Sequence, residues 1–371
     1  MPGDGGLASS MRVVGRFEDA LAVLDQAEIM ARDQHLTRDL AHVHHLRGNV
    51  YFPLGRLDGC LEQHELAQRL AREAGAPDLE ARSLGGLADA NYMRGRMLTA
   101  YEHYRHCVRL ARERGLGAVE VTNWPMVGCA RRYTNELKEA WDDSLGAIDL
   151  AIRAGNQRAE IVARQNAWLL RDMARLAEAK PHFERALVLA RSIGARLFEP
   201  INVAELAFIA AAEGDSDAAH RLIEEAWSIS RQNRPTFCGP WVLGIRSRIA
   251  ASAEIREDSW REGERLLLQH CVGHNYYFFY SDSIEAALLI QDWSRAEHFA
   301  SALEAYTRPE PNPWSDLHIA RGRALSAYGR GSRDEEIMVE IQRLADQARS
   351  VDLRLALRAL DRALECRHSP V

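Results

Sequence analysis

Apolar residues recur along this chain at steps of three and four, as in Leu21, Leu24, Ala27, Ile29 and Met30. That spacing is the stripe of an amphipathic helix. Each stripe stops and restarts, and the stops are regular. Gly15-Arg16 returns at Gly55-Arg56 and at Gly95-Arg96, a step of 40 residues each time (55 − 15 and 95 − 55). The position continues as Asn135, Ala174, Gly214, Gln291 and Gly329. A residue there ends a helix, and Gly or Asn suits the left-handed backbone of such an ending.

Small residues keep the same period. Ala20, Cys60, Ala100, Ala140, Ala179, Ala219 and Ala296 lie five after this anchor. Ala27, Ala67, Cys107, Ala147, Ala186 and Ala226 lie twelve after it, and Gly48, Ala88, Gly128, Ala167, Ala207 and Gly322 seven before it. Such columns mark places where two helices cross at close range and a larger side chain would force the backbones apart. Each repeat thus predicts helix A, a tight turn, helix B and a loop such as 73–77. The expected fold is all-α, a right-handed superhelical solenoid of about eight tetratricopeptide-like helix pairs stretched to a period of about 40 residues. No segment requires β-structure. The aromatic run Tyr276–Tyr280 could pass for a strand but leads into the helical Ile284-Glu-Ala-Ala-Leu-Leu.

The expected organisation is a flexible N-terminus over 1–14, repeats over 15–366 with an irregular unit near 235–290, and a tail over 367–371. Residues 17–33 read as a helix B whose partner is missing or stunted, which is an unstable end for a stack. The chain is therefore expected to be the C-terminal part of a longer protein, or of a longer ancestor. Leu353–Cys366 reads as a capping helix.

Composition narrows the function. The formal net charge is −6 and lysine occurs only at Lys138 and Lys180, so the basic stripe that favours nucleic acid is not expected. No stretch reaches the roughly 18 apolar residues of a membrane span, and the N-terminus lacks signal-peptide features. Six scattered cysteines without Cys-x-x-Cys spacing suit reduced thiols in a cytoplasmic protein.

Longer stretches carry a resemblance. They are His45-Leu-Arg-Gly-Asn-Val-Tyr-Phe-Pro-Leu-Gly-Arg56, Leu84-Gly-Gly-Leu-Ala-Asp-Ala-Asn-Tyr-Met-Arg-Gly-Arg96, Gly239-Pro-Trp-Val-Leu-Gly244, His274-Asn-Tyr-Tyr-Phe-Phe-Tyr280 and the segment from Ala302 to Asp316. Together they resemble the C-terminal repeat region of bacterial proteins that join a class III adenylate/guanylate cyclase domain to an AAA-type ATPase domain. The resemblance implies a regulatory repeat module rather than an enzyme. Neither lysine sits in a phosphate-binding Gly-x-x-x-x-Gly-Lys-Ser/Thr loop, and no paired-aspartate region suits cyclase metals.

In a tetratricopeptide stack helix A lines the concave groove. The groove-facing positions then fall two, three, six, ten and thirteen residues before each anchor. They include His42, His45, Asn49, Phe52, Arg82, Asp89, Tyr92, Arg132, Tyr133, Arg164, Trp168 and Arg171. Asn49, Tyr92, Arg132, Arg164, Trp168 and Arg171 form the candidate partner-binding set, because Arg, Tyr, Trp and Asn are enriched at protein interfaces or their energetic centres. Arginine forks suit a carboxylate, so the expected partner is a protein or an acidic peptide, or a small anion. In the plainer alternative these arginines pair with neighbouring acids and the rings fill gaps. Replacing Arg164 and Arg171 by Ala should weaken binding at nearly unchanged stability on the first reading, and lower stability on the second.

Other constellations carry less. His42, His44 and His45, His103 with His106 and Cys107, and His270-Cys271 with His274 each offer at most two or three ligands, so no metal or cofactor is expected. The Tyr276–Tyr280 run with Trp241 and Trp314 is either a ligand or partner pocket, enzymatic at 274–280 in one alternative, or a core plug where the repeat loses register; another alternative is a repeat domain that senses a small molecule in the groove. Three prolines in 309–313 make a stiff loop that could expose Trp314.

Overall fold

A computed structural model describes residues 6–8, 10–11, 16–52, 54 and 56–365. Among them, helices account for the regular structure and no strand occurs. Eight A–B pairs follow one another: α2 (Thr37–Tyr51) and α3 (Leu57–Glu73), α4 (Pro77–Met93) and α5 (Met97–Glu113), α6 (Gly117–Arg131) and α7 (Leu137–Arg153), then a broken helix A, α8 (Gln157–Gln165) and α9 (Trp168–Asp172), with α10 (Leu176–Ser192). They continue with α11 (Glu199–Glu213) and α12 (Ser216–Asn233), α13 (Pro235–Arg248) and α14 (Ala253–Leu267), α15 (His274–Leu289) and α16 (Trp293–Thr307), and α17 (Pro313–Gly329) and α18 (Glu335–Ser350). The helix-B-like α1 (Phe17–Asp33) precedes them and α19 (Arg354–Glu365) follows. The expected all-helical solenoid of tetratricopeptide-like pairs is the fold observed.

The anchor column works as its residue types suggest. Gly95, Asn135, Ala174, Gly214 and Gln291 all have positive φ, between 56° and 87°. Gly15 and Gly55 lie outside the described residues, as does Cys366. The last anchor is misplaced by two: Gly329 ends α17, and the left-handed residue is Gly331, φ 106°. A second left-handed column, His35, Gly75, Gly115, Gly155 and Gly194, closes the helix-B ends. Four glycines at 40- and 39-residue steps (115 − 75, 155 − 115, 194 − 155) announce it in the sequence. Immediately after Gly214 and Gln291, Asp215 and Asp292 cap the next helix by accepting the Ala218 and Arg295 amides at 2.9 and 3.0 Å.

The small columns are buried. Ala140, Ala179 and Ala296 are fully enclosed. A methyl on Gly128 would lie 2.6 Å from the Ala140 carbonyl oxygen, and one on Gly48 the same distance from His64 Nε2. Residues 6–8 and 10–11 are helical, and buried Ala8 packs with Ala20 and Leu24. No helix among the described residues is long and apolar enough to cross a membrane.

The helices form two compact units. Unit 1 comprises 1–94 and 99–127, and unit 2 comprises 95–98 and 128–371. Within unit 2 the solenoid closes on itself. The 3₁₀ turn Arg132–Thr134 packs against α17, and α9 packs against α19.

Candidate functional site

In unit 2 the helix-A faces converge on a charged interior. Arg132 comes from the turn after α6, Arg171 and Asp172 from α9, Glu205 from α11, Arg248 from α13, Asp282 and Glu285 from α15, and His318 and Arg321 from α17. Arg132 is 0% exposed, Arg171 2% and Glu205 0%. Charges this deep persist only when paired, and here they are. Arg132 Nε donates to Asp172 Oδ2 at 2.8 Å. Its guanidinium carbon lies 4.1, 4.3 and 4.5 Å from the ring centres of Trp314, Phe278 and Trp168, a desolvated cation–π cage. Arg171 Nη2 lies 3.3 Å from Asp282 Oδ2 and its Nη1 lies 3.4 Å from Glu205 Oε1. Arg248 Nη1 donates to Asp282 Oδ1 at 2.9 Å. Arg321 pairs with Glu285 and donates from Nε to the Ala356 carbonyl at 2.6 Å.

The titrations follow from burial. Burial pushes the Glu205 carboxyl up to about 7 against the pull of Arg171, and Asp282 adds to the rise. Burial first, then the charges of Arg321, Arg132, Arg248 and Arg171, hold His318 well below its usual value. A cavity of about 20 Å³ remains inside, lined among others by Arg132, Arg171, Asp282, Trp314 and His318.

The aromatic run is a core plug. Tyr277, Phe278 and Phe279 are buried, and Phe278 stacks on Trp241 with ring centres 3.5 Å apart. The proline loop does not expose Trp314, which is 1% exposed. Asn312 caps α17 by accepting the Ser315 amide at 3.0 Å, so the proline loop ends one residue before the ring and turns it inward.

Unit 1 presents the same columns differently. His42 and Asn49 on α2 and Tyr92 on α4 are half-buried, and Arg82 on α4 is exposed. Asn49 Nδ2 lies 3.0 Å from His45 Nε2. Arg38, Asp39, His42, Asp78 and Arg82 line an open cavity of about 420 Å³. Arg38 is paired with Asp78 at 3.1 Å, whereas Arg82 has no ion pair among the described residues. Burial, then the charge of Arg82, lowers the His42 value, with Asp39 and Asp78 opposing.

The six candidate residues are divided between the two units. Arg132, Trp168 and Arg171 meet in the interior of unit 2. Arg164 sits on α8, before the break at Asn166, and donates from Nε to Glu160 Oε1 at 2.7 Å. Asn49 and Tyr92 belong to unit 1. Removing the Arg171 side chain would leave Glu205 without its ion pair and Asp282 with Arg248 alone, so the paired replacement of Arg164 and Arg171 is expected to lower stability, as the plainer alternative has it. Sequence reasoning missed Glu205, Asp282, Glu285 and Arg321. Glu205 and Asp282 each lie nine residues before a left-handed anchor (214 − 205, 291 − 282), which would have found them. Aligning the last repeat on Gly331 instead of Gly329 would have brought in His318 and Arg321.

Among the described residues no group of three or more His, Cys, Asp or Glu is placed to hold a metal. Cys60, Cys107, Cys129, Cys238 and Cys271 are buried and unbridged. Burial pushes the Cys60 and Cys107 thiols up to about 12, with Asp89 adding to it.

Comparison with known proteins gives the same architecture. The tetratricopeptide repeat profile matches residues 39–113. No curated protein matches the sequence. Among solved structures, a Rap protein complexed with Competence and Sporulation Factor is similar at TM-score 0.64 and 13% identity, covering 93% of this chain and 98% of that one. The apo quorum sensor NprR from B. thuringiensis is similar at TM-score 0.58 and 13% identity, over 82% of this chain and 86% of its own. The Rap conjugation gene regulator of plasmid pLS20 in complex with the Phr* peptide gives 0.53 and 12%, over 89% and 97%.

Proposed function

We propose that this chain is a non-catalytic regulatory module that binds an acidic peptide or protein segment on the helix-A face of unit 1. One observation carries the reading: Arg82 is exposed and has no ion pair among the described residues, beside His42 and above an open cavity of about 420 Å³. An arginine fork there offers a carboxylate two parallel hydrogen bonds, and half-buried Asn49 and Tyr92 on the same helices supply a polar and an apolar contact. A small anion would use the same groups.

Two solved proteins of similar fold hold a peptide or signalling factor, the Rap protein with Competence and Sporulation Factor and the pLS20 regulator with Phr*. They support a peptide as the ligand class. The signalling context, as the repeat part of a cyclase/ATPase-type protein acting in the cytoplasm, rests on the likeness of the stretches at 45–56, 84–96 and 302–316.

The test is fluorescence anisotropy of the full chain against synthetic peptides of equal length, acidic or charge-neutral, with inorganic phosphate as competitor. Acidic peptides should bind preferentially, and Arg82→Ala should weaken them about tenfold, roughly 1.4 kcal/mol. Equal binding of both peptide classes, or an Arg82→Ala chain that binds as well as wild type, sinks the reading. Complete displacement by millimolar phosphate would make the ligand a small anion.

A further inference from the structure

We infer that a trough on α17, between α16 and α18 in unit 2, is a second interaction surface, and that it takes a basic amphipathic segment of a partner protein. The segment sets an arginine or lysine against Asp316 and an aliphatic side chain against the alanines beside it. The surface is separate from the unit 1 face and has the opposite charge preference.

The trough follows from the residue types on one stripe. Asp316, Ile319, Ala320, Arg323, Ala324 and Ala327 recur at steps of three and four along α17, so they share a face. α17 packs against both α16 and α18. An alanine side chain ends one carbon from the backbone, so this face does not fill the space between its neighbours. An open cavity of about 560 Å³ remains, within the range of roughly 300–1,000 Å³ typical of ligand clefts. Its floor is apolar. Ile319 and Ala324 are buried there, and Ala320, Ala327 and Ile337 are half-buried. A partner that covers this floor removes apolar surface from water.

The charges at the rim choose the partner. Arg323 donates from Nε to Glu297 at 3.1 Å and from both terminal nitrogens to Glu304 at 2.9 and 2.8 Å. The hydrogen bond from Arg323 holds the Glu304 carboxyl low against burial, and the charges of Arg323 and Arg308 add to it. Glu340 receives two bonds from Arg343 at 2.7 Å. Asp316 has no ion pair among the described residues. Burial and then Glu304 raise its carboxyl, and no cation acts against them. The trough's other guanidinium, Arg330, lies 14 residues further on (330 − 316), about 21 Å along the helix, and donates to the Trp293 carbonyl at 3.1 Å. The Asp316 end is therefore short of a cation. A bare inorganic ion would leave the floor uncovered, and no group of three or more metal-binding side chains stands among the described residues. An arginine or lysine fits both demands, since its stem lies along Ile319 and Ala320 while its head reaches the carboxylate.

The experiment measures anisotropy of three fluorescein-labelled peptides of equal length on the full chain. The first carries one Arg and one Leu four residues apart in a neutral polar background. The second has Gln for the Arg, and the third has Ser for the Leu. The first should bind, and each replacement should weaken it about fivefold, the upper range for an exposed ion pair. Asp316→Asn should weaken the first peptide by the same factor and leave the second unchanged, at an unchanged melting temperature. Ala320→Leu should fill the floor and remove the preference for Leu over Ser. Equal binding of the Arg and Gln peptides overturns the proposal, as does an Asp316→Asn chain that binds the first peptide as well as wild type. Equal binding of the Leu and Ser peptides overturns the amphipathic segment. If Asp316→Asn lowers the melting temperature along with the affinity for all three peptides, Asp316 is structural and the proposal falls. The unit 1 reading survives each of these results, because its test depends on Arg82 and on acidic peptides.

Discussion

Three residues before the left-handed turn, unit 1 places Tyr92 half-buried, whereas unit 2 places Arg132 and Arg171 at 0% and 2% exposure. The column is the same, and the surroundings are opposite. In unit 1 the helix-A face opens on a polar cavity with Arg82 exposed beside it. In unit 2 the 3₁₀ turn at Arg132 meets α17, α9 meets α19, and the face becomes an interior. An arginine in a repeat column is a candidate contact or a structural ion depending on whether a later repeat returns to cover it. The column alone does not decide.

The most severe way to break this comparison is to remove a cation from the closed face. Arg171→Ala leaves Glu205 without its ion pair and Asp282 with only Arg248. The expected loss is about 3–5 kcal/mol in urea unfolding. A loss under about 1 kcal/mol would show that water reaches the interior and that the face is open.

Helix crossing should not distinguish the units. A methyl at Gly86 would overlap the His64 ring in unit 1, and one at Gly263 would overlap the Phe279 ring in unit 2. Both rings are buried, so Gly86→Ala and Gly263→Ala should each cost about 1–3 kcal/mol, read as lowered melting temperatures. A large cost in one unit and none in the other would mean that one stack is loosely packed.

Acid should act on both units, with unit 2 partly buffered. Burial holds His64 in unit 1 and His274 in unit 2 at about 4, below the ordinary 6.5. These rings stay neutral when folded, so their contribution is present above pH 6.5 and is lost as pH falls towards 4. The slope is about 1.4 kcal/mol per pH unit for each. Glu205 runs the other way. Its folded value of about 7 lies above the ordinary 4.5, so its burial costs stability as pH rises from 4.5 through 7. The advantage of Glu205→Gln over wild type should therefore shrink between pH 8 and pH 5 in denaturation curves. A constant difference would show that Glu205 stays ionised throughout.

The smallest stability effect is expected on the open face. Arg82→Ala should change stability by no more than about 0.5 kcal/mol. A melting temperature lowered as far as that of Arg171→Ala would show that unit 1 is closed as well.

The local half of this fold was readable from the chain. Gly95, Asn135, Ala174, Gly214 and Gln291 announce their turns because a left-handed backbone restricts residue type at one position. Ala140 and Gly128 announce a helix crossing for a similar steric reason. The interior of unit 2 was hidden because its pairs span long separations. Arg171 meets Asp282 across 111 residues, and the closing contact joins Arg132–Thr134 to a helix that starts at Pro313. Nothing near Arg132 signals that Trp314 will cover it. The slip at Gly329 had a local cause: α17 continues to that glycine and its left-handed residue follows at Gly331.

The closure of unit 2 also bears on how such a chain can change over generations. Stacked repeats lengthen or shorten by duplicating or losing whole units, because each touches only its neighbours. Between Asn135 and Gly331 that freedom is gone. Adding or deleting one 40-residue pair would carry α17 away from the Arg132 turn and uncage a buried cation. Descendants of this chain should vary in pair number before Asn135 and keep a constant tally after it.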